Sequence, residues 1–98
     1  MGYTIGQLVH CSAEFQAYIN SVLTYVDPDV VMFKYKRPGL DPVTYVYGID
    51  AELVKTDVGK YYVDLDAQHA GTWYYKFWST GDYQAAQQAE FTVDRDKV

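Results

Sequence analysis

The side chains able to do chemistry in this chain are few, and their spacing decides what they are for. In the alternating run "QLVHCSAEF", Val9, Cys11, Ala13 and Phe15 share one side of a strand, while Leu8, His10, Ser12 and Glu14 share the other. The neighbours His10 and Cys11 therefore point apart, and no thiol–imidazole pair forms between them. Cys11 reads as a small core hydrophobe. His69, the second histidine, falls in a loop far along the chain, and Ser12, Ser21 and Ser79 sit in no G-x-S-x-G context. Acids come in pairs two residues apart: Asp27 with Asp29, Asp64 with Asp66, Asp94 with Asp96. Two carboxylates on one side of a strand begin a calcium site, but calcium takes roughly 6–8 oxygens and no D-x-D-x-D-G run supplies the rest. The His and Cys spacings match no zinc pattern. The seven glycines punctuate turns and make no phosphate loop. The expectation is a protein that is not an enzyme and holds no metal or cofactor.

What the strands position instead is aromatic surface. In "HAGTWYYKFW", residues 69–78, Trp73, Tyr75 and Phe77 share one side, and Tyr74 and Trp78 share the other with Thr72 and Lys76. A strand buried on one face needs only the first set.

Strand signals dominate the rest of the chain. "VVMFKYK" sets Val31, Phe33 and Tyr35 against Met32, Lys34 and Lys36; "KYYVDLD" sets Tyr61, Val63 and Leu65 against Tyr62, Asp64 and Asp66. "RPGLDP" makes a turn, "VTYVYG" a β-branched and aromatic strand, and Ala89, Phe91 and Val93 share a side near the end. The run from Ala85 to Glu90 favours helix but is too short to stand alone, so it reads as an irregular lead-in to the last strand. The segment 16–29, "QAYINSVLTYVDPD", reads as a long connection carrying some strand, or an arm reaching outward. Residues 1–6 read as an N-terminal arm and 94–98 as a frayed tail. Six or seven short strands with turns every 8–12 residues or so predict one all-β domain, 1–98, an antiparallel sandwich.

Bulk composition bounds the partners. With 98 residues, 49% hydrophobic, 17% aromatic and 21% charged, the chain suits a single folded domain. Its net charge of -5 and the lack of any Lys/Arg cluster in the sequence exclude nucleic acid. No apolar run approaches the roughly 20 residues of a membrane helix. The N-terminus carries no secretory pattern and the chain one cysteine, so it is expected to be made in the cytoplasm and to fold without a disulfide.

Two likenesses sharpen this. "DAQHAGTWYY" resembles the corner before strand F of immunoglobulin-like domains, which implies that Trp73 and Tyr75 face the core. It also implies that Cys11 occupies the strand-B site of the antibody disulfide; Tyr75 stands at the partner site, so no bridge forms. Trp73 replaces the usual corner tyrosine and can donate its N–H to backbone. The order "V-x-F-x-Y-x-x-P-G", "G-x-Y-x-V-D-L", "A-G-T-W-Y-Y" over about seventy residues resembles short Ig-like proteins encoded among the virion structural genes of tailed bacteriophages. That resemblance implies an immunoglobulin-like sandwich of about seven strands and a location in the virion. It also implies the role of a decoration or accessory component on the capsid or neck.

If strands C, F and G share a sheet, their outward row holds Met32, Lys34 and Lys36, then Tyr74, Lys76 and Trp78, then Gln88, Glu90 and Thr92. The other sheet exposes His10, Ser12 and Glu14 with Tyr62, Asp64 and Asp66. One outer face is aromatic with lysine stems, the other polar and acidic. The aromatic face has three readings: strand-stabilising pairs covered by lysine stems, a protein-binding surface, or a sugar-stacking platform. Eleven tyrosines suit either kind of binding. The residues expected to dock on other virion proteins are Met32, Lys34, Tyr74, Lys76 and Trp78. The alternative partner is a glycan of the host surface, and self-association of the chain is a further expectation.

Overall fold

A computed structural model describes residues Gly2 to Arg95 as an all-β chain of ten strands. Five of them, β1 (Gly2–Thr4), β5 (Val30–Lys36), β6 (Val43–Val46), β9 (Gly71–Thr80) and β10 (Ala86–Asp94), form one sheet in the order β1-β10-β9-β5-β6. A second sheet, β2-β8-β7, uses β2 (Leu8–Glu14), β8 (Lys60–Asp66) and β7 (Val54–Asp57). The remaining two, β3 (Gln16–Ile19) and β4 (Val22–Tyr25), pair only with each other.

Alternation builds the core. Val9, Cys11 and Ala13 of β2 and Tyr61, Val63 and Leu65 of β8 are buried, and they join Val31, Phe33, Trp73, Phe77, Phe91 and Val93 of the five-stranded sheet in a single cluster. The two sheets thus cover one another's inner faces. Phe33 packs at 4.7 Å from Phe77, and Phe15 edge-on to Tyr61 at 5.7 Å. As expected, Cys11 is buried and unpaired, and β5, β9 and β10 share a sheet while β2 and β8 share the other.

The chain forms more strands than the expected seven. Within the expected N-terminal arm, of which Met1 lies outside the described residues, Gly2–Thr4 run parallel to Thr92–Asp94, which also takes Asp94 out of the expected frayed tail. Positions 96–98 of that tail lie outside the described residues. The last strand begins at Ala86, with no irregular lead-in, because Ala86 to Val93 zip in unbroken register onto Trp78 to Gly71. Ladder pairing on β9 outweighs the helix propensity of alanine and glutamine. Ser79 closes the preceding turn: its hydroxyl donates to the Tyr83 carbonyl and accepts the Ala85 N–H, both at 2.9 Å.

Segment 16–29 opens with a hairpin whose two turn residues, Asn20 and Ser21, have φ of 51° and 65°. That double positive φ is the type I′ turn, whose twist matches the flanking strands. The hairpin joins neither sheet's ladder, and towards its tip Tyr18, Ile19, Val22 and Leu23 are exposed. At its base, the Asp27 carboxylate holds three donors: Lys55 at 2.8 Å, the Gly59 N–H at 2.9 Å and the Tyr61 hydroxyl at 3.2 Å.

The Lys55 ammonium first, and the Gly59 N–H after it, hold the Asp27 carboxyl below the usual carboxylate range. A carboxyl with a lowered native pKa stabilises the fold above its unfolded value, near pH 4, and that contribution disappears as the pH falls through the native value. Asp27→Asn is expected to cost about 1 kcal/mol at pH 7, a modest sum because the carboxylate is partly solvated. Urea unfolding at pH 7 and pH 3 checks this: the difference between wild type and variant should shrink at the lower pH.

Candidate functional site

The outer face of the five-stranded sheet gathers the residues singled out from the sequence. Pairing of β5 with β9 sets Met32 opposite Trp78, Lys34 opposite Lys76 and Lys36 opposite Tyr74. Pairing of β9 with β10 sets Lys76 opposite Gln88 and Tyr74 opposite Glu90. All five expected docking residues share this face, and a groove of about 480 Å³ runs over it between Lys34, Lys36, Tyr74, Lys76, Gln88 and Glu90.

Exposure along the face is uneven. Tyr74 is 54% exposed, and Lys34 and Lys76 are open to solvent. Trp78 and Met32, expected to be exposed, are half-buried. The Lys76 ammonium lies 5.6 Å from the centre of the Trp78 ring, so its stem shields the indole. The accessible aromatic is therefore Tyr74, while Trp78 and Met32 lie on the same face outside the groove lining.

Electrostatics mark the same spot. Lys34 and Lys76 are direct cross-strand partners, and like charges placed opposite one another destabilise a sheet. Among the described residues neither they nor Lys36 forms a salt bridge. Three ammonium groups on one face of a chain with net charge -5 make a local positive field beside an open ring. Glu90, opposite Tyr74, supplies a carboxylate at the rim. Four residues lining the groove, Tyr35, Pro42, Tyr75 and Ala89, were not in the outward row expected from the sequence.

The groove is equipped to hold a ligand, through stacking and charge-assisted hydrogen bonds. Phenols of the same sheet stay protonated: burial raises Tyr75, and burial followed by a hydrogen bond with Tyr35 pushes Tyr45 up to about 12. Burial, then the Asp64 charge, pushes the Cys11 thiol up to about 12. A thiol in that state is inert at neutral pH.

The opposite outer face carries the expected polar and acidic row. His10 Nδ1 lies 2.7 Å from an Asp64 carboxylate oxygen, and the His10 ring leans on Tyr62 at 4.8 Å. His69 is exposed in the loop before β9, where its backbone carbonyl accepts the Trp73 indole N–H at 2.9 Å. Asp27 is a structural tie, and among the described residues no three His, Cys, Asp or Glu side chains gather as metal ligands do. Compared with protein-family models, with curated proteins and with solved structures, the chain matches none.

Proposed function

We propose that the chain is a non-enzymatic immunoglobulin-like module of a tailed-phage virion, docking on a capsid or neck protein through the outer face of its five-stranded sheet. The immunoglobulin-like reading is supported by the strand order. With β2, β8 and β7 taken as B, E and D, and β5, β6, β9 and β10 as C, C′, F and G, the two sheets follow the Greek-key arrangement, with β1 alongside G. The virion reading rests on the order of the three sequence motifs. Docking rests on one observation above the others: the unpaired Lys34–Lys76 cross-strand pair beside the open Tyr74 ring.

A charged pair that costs stability in the isolated domain becomes favourable once an acidic surface covers it. Repetition over a symmetric particle lets an interface of about 1,000 Å² hold each copy. Tyr74→Ala and Lys34→Glu are expected to fold as wild type does and to lower occupancy on particles by about tenfold. Particles assembled with each variant, assayed for bound copies, decide the matter; wild-type occupancy for both would rule out this face.

A second reading has its own support. Tyr74 presents an open ring with Glu90 opposite and Gln88 beside it, the combination of stacking surface, carboxylate and amide that holds a sugar. Titration of host-surface polysaccharide against tryptophan fluorescence tests it, because Trp78 lies on the same face.

A further inference from the structure

β10 carries a stretch of backbone with nothing paired to one side. β9 covers it along Ala86 to Val93, but on the other side β1 reaches only Thr92, Val93 and Asp94. In an antiparallel ladder, each residue sends its N–H and its C=O to the same side, and consecutive residues alternate. The Ala85 carbonyl accepts the Ser79 N–H from β9, whereas the Asp94 carbonyl accepts the Ile5 N–H from the opposite side. Odd-numbered residues of β10 therefore face β9. The main-chain groups of Ala86, Gln88 and Glu90 face outward, where no strand of the described residues lies.

Folded proteins guard such edges with lysine, proline or a bulge. This one has a single charged residue, Glu90, at the end nearest β1. From Tyr83 to Ala89 there is no charged residue and no proline, and the register onto β9 is unbroken. Residues 86–90 are exposed on both faces of the strand.

We propose that this edge pairs with the same edge of a second copy, antiparallel, about a two-fold axis at Gln88. The stretch is complementary to itself in that register. Gln88 opposes Gln88 of the second copy, and their side-chain amides, each both donor and acceptor, lie on the same outer face. Ala86 opposes Glu90 of the second copy, a small neutral residue against a charged one, and Gln87 opposes Ala89. The two Glu90 carboxylates then sit four residues apart along the strands, about 13 Å, beyond the Debye length of about 8 Å at physiological salt. About six main-chain hydrogen bonds form, and no like charges meet.

The open edge of β2 is less suited, since its Glu14 carbonyl already accepts the Gln87 side-chain amide at 2.7 Å. A five-residue edge buries less than the roughly 1,000 Å² of a stable interface, so pairing is weak in dilute solution and strengthens where copies are concentrated. It joins two five-stranded sheets edge to edge and sets two Tyr74 faces side by side.

Sedimentation equilibrium of the full chain, up to about 1 mM, tests this. The wild-type average mass should rise towards twice that of one chain. Gln88→Pro removes an N–H that the fold does not use, and Gln88→Lys puts like charges on the axis. Either is expected to weaken pairing by at least about tenfold with the circular dichroism unchanged. In parallel, the Gln88 and Glu90 amides should gain hydrogen-exchange protection with concentration, while Gln87 is protected throughout. A wild type that stays at one-chain mass over the whole range overturns the proposal. So does a folded variant that dimerises as wild type does; if Gln88→Pro fails to fold, Gln88→Lys decides.

Discussion

Trp73→Ala is expected to cost about 3–5 kcal/mol, a large share of the roughly 5–15 kcal/mol that holds a domain together. Trp73 is 1% exposed and lies between two rings: Tyr35 stacks on it at 6.2 Å with planes 10° apart, and Phe91 at 5.5 Å and 26°. Truncation leaves a cavity where β5, β9 and β10 converge, and the extended strands cannot collapse to fill it. It also strips the His69 carbonyl of the indole N–H that ties the β8–β9 loop down at 2.9 Å. Trp73→Phe separates the two effects, since it keeps most of the ring volume and loses the hydrogen bond, for about 1–3 kcal/mol. Urea unfolding of both variants checks the ordering, with Trp78 left as the fluorescent reporter. A loss below about 1 kcal/mol for alanine would mean that the inner face of β9 is not the centre of the core.

Much of the architecture was legible because most of the long strands have one face in the core and one in water. Burial imposes the period of two, so β2, β8 and the inner row of β9 announced themselves, and with them the side of β9 on which Tyr74 would lie. The pattern fades where burial does. Residues 86–90 are exposed on both faces, so only the phase of Gln88, Ala89 and Glu90 with the residues after them hints at strand; the ladder to β9 carries it back to Ala86, and it is a non-local interaction. β1 is three residues long and exists by virtue of its pairing with Thr92–Asp94. The hairpin tip depended on Asn20 and Ser21 adopting positive φ, which the flanking apolar residues did not foretell. Asp27 showed in the sequence only as half of an acid pair because its partners, Lys55, Gly59 and Tyr61, lie about thirty residues away.

The candidate site divides in the same way. Parity along each strand fixed which side chains share the outer face. Register between strands decided that Lys34 meets Lys76 and that Met32 meets Trp78, and a single strand's sequence holds no register. The half-burial of Trp78 follows from Lys76 folding back over its ring, which parity alone would leave exposed.

Gly59→Ala is expected to cost about 3 kcal/mol or more, because two penalties fall on one residue. Its φ of +72° lies in the left-handed region, which costs any other residue about 1–2 kcal/mol. The added Cβ also has no room: it would sit 2.5 Å from the Phe15 carbonyl oxygen and 2.9 Å from that of Val26. Neither can retreat cheaply. The Phe15 N–H donates to the Gly59 carbonyl at 2.7 Å, the Phe15 carbonyl accepts the Val26 N–H at 3.0 Å, and Asp27 holds the Gly59 N–H at 2.9 Å. Gly48→Ala is the matched control, since its φ is +89° but a Cβ there meets nothing within 4 Å; it should show the conformational penalty alone. The excess of Gly59→Ala over Gly48→Ala then measures the close approach at the root of the hairpin. Phe15 and Val26 anchor that root in the core, so loosening it should free Ala17 and Tyr18 to exchange their amides faster while the β9 amides stay protected. Equal costs for the two alanine variants would show that the hairpin is held by its own turn and not by the sandwich beneath it.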